Sequence, residues 1–493
     1  MLRYLIVAAA VLALVATAVV VLRPGDGGSG PPPAAGQRPP SEPATGERTP
    51  SESTTGQRSP SEPTTGQRAP TGDSGERFIW SVSDDRRHLV DQHGDPLLVR
   101  GDSPWSLMTD LTPDEAETYF ADRGDRDVNA VIVSLLGAVA NGAPHDDGST
   151  VDGLTPFVGG DVTEWSPDYW GRAHDYVARA ERHGITVMLY PIDSWVWGKA
   201  FTPAGMQQCR TYGRQVAEHF ADLPNILWMA GGDYYPASDA PGEIDRCVAA
   251  MREGMRDVGD QRPFTMQLGA AGPVVTTDHP WWRRGVDWNF VYTYDPTHAA
   301  VARAYSHQPP VPALLGEANY ERENNQGNQP TTNETLRRQV AWALTSGAVG
   351  DFYGSSDWGF APDWQERLGS PGLADVGHVR DVFAGVEWWR LVPDAKGAFL
   401  TGGRGEAWER GDVLDSDLAT ATIAPDGSVA VVYVPTQRTI TIATGALADG
   451  VSASWVDPST GQTQAAGVQS QYRTPGENGD GDGDWLLVFT APE

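Results

Sequence analysis

The stretch ILWMAGGDYY, residues 226–235, decides the fold. Its first five residues are apolar without polar alternation, as in a strand buried on both faces of a parallel sheet. The run breaks on Gly231-Gly232 and an acid, Asp233. Seven further runs read as strands, most of the set continuously apolar: 97–100 (LLVR), 130–136 (AVIVSLL), 185–192 (ITVMLYPI), 264–268 (FTMQL), 290–294 (FVYTY), 313–316 (ALLG) and 349–353 (VGDFY). Helical patterns lie between them. Thr112-Pro113-Asp114-Glu115 is a capping box opening a helix through Ala121. Ser166-Pro167 opens a second, with Tyr169, Trp170, Ala173, Tyr176, Val177 and Ala180 on one face. Asn333 caps a third that carries Leu336, Val340 and Leu344. Eight strands with helical connections over about 300 residues predict an α/β fold, a (β/α)₈ TIM barrel, with a doubly wound open sheet as the alternative.

Outward from the barrel, the texture changes on both sides. Residues 396–493 show alternating runs such as 429–434, 439–443 and 485–489, separated by turn residues, and read as a small all-β sandwich. Residues 24–76 carry a decapeptide repeat (GQRPPSEPAT, GERTPSESTT, GQRSPSEPTT from residue 36) and no apolar side chain larger than Ala, so they predict a disordered linker. Held extended by proline, this linker reaches on the order of 160 Å. Leu5–Leu22 is an uncharged apolar run between Arg3 and Arg23. It is longer than the roughly 7–15 residues of a signal-peptide core and slightly short of the about 20 of a membrane span. An uncleaved signal anchor over 1–23 is the favoured reading and a cleaved signal peptide the alternative. Either exports residues 77–395, the barrel domain, and 396–493, to a membrane-anchored or secreted location outside the cytoplasm.

Charge excludes one class of partner. The formal net charge is −29, and such a surface repels phosphate, so no nucleic acid is expected. Eighteen Trp in an acidic exported chain point towards carbohydrate, since sugar faces stack on indole and sugar hydroxyls bond to carboxylates. Two cysteines exclude a Cys-rich metal module. Cys209 and Cys247 fall in the helices after the third and fourth strands, which pack side by side in a barrel, so a disulfide between them is expected in an oxidising compartment.

Active sites of such barrels sit at the C-terminal strand ends. Reading just past each strand gives Asp102 and Trp105, then Asp193 and Trp195, Asp233, Gln267, Tyr292 and Tyr294, Glu317 with Tyr320 and Glu321, and lastly Tyr353 and Trp358. Carboxylates and aromatics gather at one rim without His–His spacing for a metal. The chemistry they suit is glycoside hydrolysis, in which one carboxyl protonates the leaving oxygen and a second attacks. Asp233 could equally be a turn residue after two glycines, and the aromatic residues ordinary packing. A serine esterase is a rival reading, with Gly101-Asp102-Ser103 and Asp375-Val376-Gly377-His378 supplying a triad. Asn478-Gly-Asp480-Gly-Asp482-Gly-Asp484 resembles the start of a calcium loop, but Phe489 stands where the bidentate Glu belongs, so an acidic hairpin loop without metal is the favoured reading.

As a set, several of these stretches resemble the apiosidase-like glycoside hydrolases (family 140 and wider relatives). They are GDSPW with LTPDEAETYFADR after it, ILWMAGGDYYP, LLGEANYE and AWALTSGAVGDFYG. Such chains often end in a β-domain labelled collagen-binding in a collagenase. The resemblance implies Asp233 as acid/base and Glu317 as nucleophile, with Glu321 as the fallback. It implies a retaining glycosidase with no cofactor, acting on an oligo- or polysaccharide, with furanosides among the candidate substrates. The fifth and sixth strand ends, FTMQLGAAG and VYTYDPTH, depart from the family's His-containing segment and its Gln-Ser-Gly-His. Apiose itself is therefore not the expected sugar. A monomer is expected, tethered through the N-terminal helix, and a carbohydrate-binding protein on an inactive barrel is the second alternative.

Overall fold

A computed structural model of the protein describes residues 75–137, 148–201, 204–271, 274–325 and 330–492. The apolar 1–23 segment and all but the end of the 24–76 linker lie outside these residues. Among the described residues no helix is long and apolar enough to cross a membrane.

Eight strands form one parallel sheet: β1 (Val99–Asp102), β2 (Ala130–Ser134), β3 (Thr186–Asp193), β4 (Ile226–Tyr234), β5 (Phe264–Leu268), β6 (Asn289–Tyr292), β7 (Ala313–Glu317) and β8 (Ala348–Tyr353). Their spatial order is β5-β4-β3-β2-β1-β8-β7-β6. This order runs on without the reversal of a doubly wound sheet and lays β1 against β8, so the sheet curls into a near-barrel. β5 and β6 are its two edges. A buried edge would leave backbone groups without partners. Two threonines stitch the seam: Thr265 donates to the Trp288 carbonyl (2.7 Å), and the Thr276 hydroxyl donates to Met266 O (2.8 Å) while accepting from Phe290 N (3.2 Å).

β1 starts two residues later than the LLVR run suggests. Leu97 N instead bonds Leu89 O at 3.0 Å, which draws Leu97 and Leu98 into the hairpin of Ser81–Val82 and Leu89–Val90. Ile79, just before this hairpin, donates to the Thr186 hydroxyl at the start of β3 (3.0 Å), so the hairpin lies at the N-terminal end of the barrel.

The helices are α1 (Pro113–Asp125), α2 (Pro167–Arg182), α3 (Met206–His219), α4 (Glu243–Asp257), α5 (Thr297–Tyr305), α6 (Asn333–Thr345) and α7 (Pro371–Ala384). The Thr112/Glu115 capping box is formed, and α1 runs four residues past Ala121. The cap of α6 is Thr332 rather than Asn333: its hydroxyl accepts from Thr335 N at 3.2 Å, and Asn333 is the first helical residue. Between β5 and β6 the described residues form no α-helix, only short 3₁₀ turns at Thr276–Asp278 and Trp282–Arg284. Cys209 of α3 and Cys247 of α4 are joined by a disulfide, with Cα atoms 5.4 Å apart.

Two antiparallel sheets follow, one of six strands and one of three. They share an apolar core that includes Phe399, Val432, Ile440, Trp455, Leu487 and Phe489. The first of these strands, Val392–Pro393, pairs with Thr422 and Ile423, so the sheets recruit chain from before residue 396. They cover α6, which is why every side chain from Thr335 to Thr345 is buried. Trp342 Nε1 donates to Leu418 O (2.8 Å), and Arg338 donates to the Ser416 carbonyl (2.8 Å). The acidic loop 478–484 holds an arginine. The buried Arg337 guanidinium lies 3.0, 2.6 and 3.1 Å from Asp480, Asp482 and Asp484, and 2.5 Å from Asp375 of α7.

Candidate active site

β4 does not end smoothly. Its pairing with β5 slips between Ala230 and Tyr234, and Gly231, Gly232 and Asp233 all have positive φ (114°, 61° and 51°). A Cβ on Gly231 would sit 2.0 Å from the Gln267 carbonyl oxygen, and one on Gly232 would meet the Trp195 ring at 2.9 Å. Only glycine fits at both positions. The bulge turns the Asp233 carboxylate into the barrel mouth, at the cost of a left-handed conformation that a non-glycine residue seldom adopts. Strain of that kind concentrates at functional sites.

Glu317, the last residue of β7, faces Asp233 across the same mouth. It accepts from Gln267 Nε2 at 2.7 Å and from the Tyr294 hydroxyl at 3.3 Å. Gln267 is held in that orientation by the Tyr190 hydroxyl, which donates to its carbonyl oxygen (2.8 Å). The Tyr292 and Tyr294 hydroxyls are 2.7 Å apart. Burial pushes Glu317 well above the usual carboxylate range; the Asp233 charge adds to the rise and the two tyrosines oppose it. Burial also raises Asp233, against the pull of Tyr292. The Oδ1 of Asp233 is buried without a hydrogen-bond partner.

The two carboxylates line a cavity of about 200 Å³. Its walls include Trp105, Trp195, Tyr292, Tyr294, Tyr320 and Trp358. Trp105 Nε1 donates to the Tyr320 hydroxyl (2.7 Å) and its ring meets Trp195 edge-on at 5.6 Å. A third carboxylate, Glu323, lines the cavity and was missed in the sequence because it lies six residues beyond the end of β7. It accepts from Trp358 Nε1 and Asn325 Nδ2 (2.5 and 2.8 Å). Its spacing from the strand carried no signal, but five of the six residues after Tyr320 are acids or amides.

Five expected contact residues stand behind the cavity. Asp102 is buried against Arg123 and the Tyr119 hydroxyl (2.7 Å). Asp193 is fully buried, pushed up to about 6 by burial, and caps the turn that presents Trp195 by accepting from Trp195 N and Val196 N (both 3.0 Å). Gln267 touches Glu317, not the cavity. Glu321 turns away to Tyr353 and to Gly372 N (3.4 Å) at the start of α7, so it cannot substitute for Glu317. Tyr353 is tied to that same Glu321 and to Ser370. The esterase triad is not assembled. Ser103 sits at the mouth, whereas Asp375 is paired with Arg337 and His378 packs against Gly461 of the C-terminal sheets.

A parallel near-barrel with paired acids at the C-terminal strand ends is the architecture of a glycoside hydrolase. The family model for the apiosidase-like catalytic domain matches residues 83–390, and the chain belongs to that family. Residues 412–490 match the model described as "Putative collagen-binding domain of a collagenase". No curated protein matches the chain. Among solved structures, one named only as a glycoside hydrolase is 19% identical with a TM-score of 0.70, covering 84% of this chain and 97% of its own. A family 5 glycoside hydrolase from Bacteroides vulgatus is also 19% identical with a TM-score of 0.70, covering 85% and 94%. At that identity the likeness is one of fold.

Proposed function

We propose that the chain is a retaining glycoside hydrolase in which Asp233 is the acid/base and Glu317 the nucleophile. The carrying observation is that Asp233 and Glu317, from two different strands, line one cavity. Gln267 and Tyr294 donate to Glu317 and orient it, as a nucleophile requires, while Asp233 Oδ1 is left without a protein donor. The pair shares a proton, which burial and the Asp233 charge draw towards Glu317 in the free site; the mechanism needs it on Asp233 once substrate is bound. Asp233 gives that proton to the leaving oxygen as Glu317 attacks the anomeric carbon and the glycosidic bond breaks. Asp233, now a carboxylate, then takes a proton from the water that displaces Glu317. Retention requires the two carboxyl groups to lie about 5–5.5 Å apart.

The cavity also describes its sugar. About 200 Å³ is below the roughly 300–1,000 Å³ of pockets for drug-sized ligands, so it suits one sugar ring, a furanoside included. Three carboxylates and no basic side chain line it, so a neutral sugar fits and a uronate does not. The reading extends to export from the cytoplasm. The Cys209–Cys247 disulfide supports an oxidising compartment, and the linker would carry the enzyme out from a membrane.

The test is turnover of an aryl-glycoside panel that includes furanosides, with aryl esters alongside. Asp233→Asn and Glu317→Gln should each fold and lose on the order of 10³-fold or more in turnover. Near-parental turnover in either variant removes that residue from the mechanism. Turnover of esters alone would return the chain to the esterase reading.

A further inference from the structure

A second concentration of chemistry lies at the opposite end of the barrel, outside the β5/β6 seam. A cavity of about 380 Å³ is bounded by Arg252, Glu253 and Arg256 of α4 and by the segment Trp281–Gly285 that leads into β6. The Arg252 side chain is 13% exposed. Its guanidinium stacks on Phe264, the first residue of β5, 4.1 Å from the ring centroid, and reaches the Gly285 carbonyl. The carboxylate facing it, Asp287, is 3.7 Å away, beyond hydrogen-bond distance. Burial draws Arg252 down to about 10; Asp287 opposes the fall and the Arg256 charge adds to it. Arg256 and Arg284 are exposed and form no ion pair among the described residues, while Glu253 is taken by Arg210 at 3.1 Å. Beside them Trp281 is 41% exposed.

The net charge of the chain is −29, yet three arginines here face one cavity with too few acids to balance them. Guanidinium forks match the geometry of a carboxylate, and an exposed indole offers a stacking face for the apolar side of a sugar ring. We infer that this cavity is a second saccharide site, distinct from the catalytic cleft, for a uronate-bearing sugar chain. Its charge is opposite to that of the cleft, so the two sites select different residues. It docks a polymer and turns nothing over.

Calorimetry with the full chain tests this, using an oligogalacturonate, its methyl ester, a neutral oligosaccharide of equal length and inorganic phosphate. The oligogalacturonate should bind, more weakly as salt rises, and the ester and neutral chain should bind roughly tenfold more weakly or worse. Trp281→Ala, and Arg256→Gln combined with Arg284→Gln, should each weaken it about tenfold and leave aryl-glycoside turnover unchanged. No binding by the parent chain, or equal binding by the double variant, overturns the proposal. So does phosphate binding as tightly as the oligogalacturonate with no effect of Trp281→Ala, which is a plain anion site. If phosphatidylglycerol vesicles bind through these arginines and the oligogalacturonate does not, the surface belongs to lipid and the proposal also fails. Because the readout is binding, its failure leaves the hydrolase reading untouched, and loss of that reading leaves this one standing.

Discussion

Arg337→Met tests the joint between the barrel and the C-terminal sheets. The guanidinium is fully buried and balances Asp484, also fully buried, and Asp375, 7% exposed at the side chain. Asp480 and Asp482 are partly exposed and contribute less. Methionine keeps the volume but leaves two buried carboxylates without a counter-charge, and breaking a buried pair in this way costs about 3–5 kcal/mol. For a folded unit of roughly 400 residues that lowers the melting temperature by about 3–6 °C. The deficit should depend on pH. Burial already holds Asp375 at about 6 despite Arg337, and it raises Asp484 as well. An unfolded aspartate titrates near 3.9, so between about 4 and 6 the folded state holds the extra proton and stability falls as pH rises. Removing Arg337 raises the folded values further. The deficit should therefore be larger at pH 7.5 than at pH 5, and Arg337→Lys should fall between the parent and Arg337→Met. Scanning calorimetry of the full chain at both pH values measures it. A melting point within 2 °C of the parent at pH 7.5, or a deficit of the same size at pH 5, would refute the reasoning.

Three other outcomes follow from the geometry. Gln267→Ala removes a donor from Glu317, so its pKa rises; the acidic limb of the kcat/KM profile should move to higher pH, with a loss of roughly tenfold or more at neutral pH. Cys209→Ser should lower stability by about 2–4 kcal/mol in thermal unfolding without changing KM, because α3 and α4 stand outside the cleft. Calcium should leave the melting temperature unchanged, since the Arg337 guanidinium already lies among the carboxylates of the acidic loop; a rise of several degrees, abolished by Asp482→Ala, would contradict this.

The barrel was legible because most of its strands are buried on both faces and so appear as unbroken apolar runs, among them Ile226–Ala230 and Ala313–Leu315. The β5/β6 seam was not, since Thr265 and Thr276 reveal their role only when two edges meet. Asp233 and Glu317 stood out because each lies at or just past the end of an apolar run. Asp102, Asp193 and Glu321 stood out for the same reason, yet they serve Arg123, the Trp195 turn and Tyr353. A polar residue at a strand end has the same appearance in sequence whether it faces the cavity or the layer behind. Its partner decides, and that partner comes from another element. Glu323 shows the converse, entering the cleft from a loop whose path the sequence did not define. The acidic loop at 478–484 suggested a metal or a bare hairpin because its actual counter-ion, Arg337, lies some 140 residues earlier in the chain.

The central claim is that Glu317 forms the covalent intermediate while Asp233 carries the proton. A 2-deoxy-2-fluoro version of whichever aryl glycoside the chain turns over should trap that intermediate, and peptide mass spectrometry locates it. The account predicts one sugar per chain, on Glu317, accumulating in the parent and absent from Glu317→Gln. A label on Asp233, Glu321 or Ser103, or inversion at the anomeric carbon with no label at all, would contradict it.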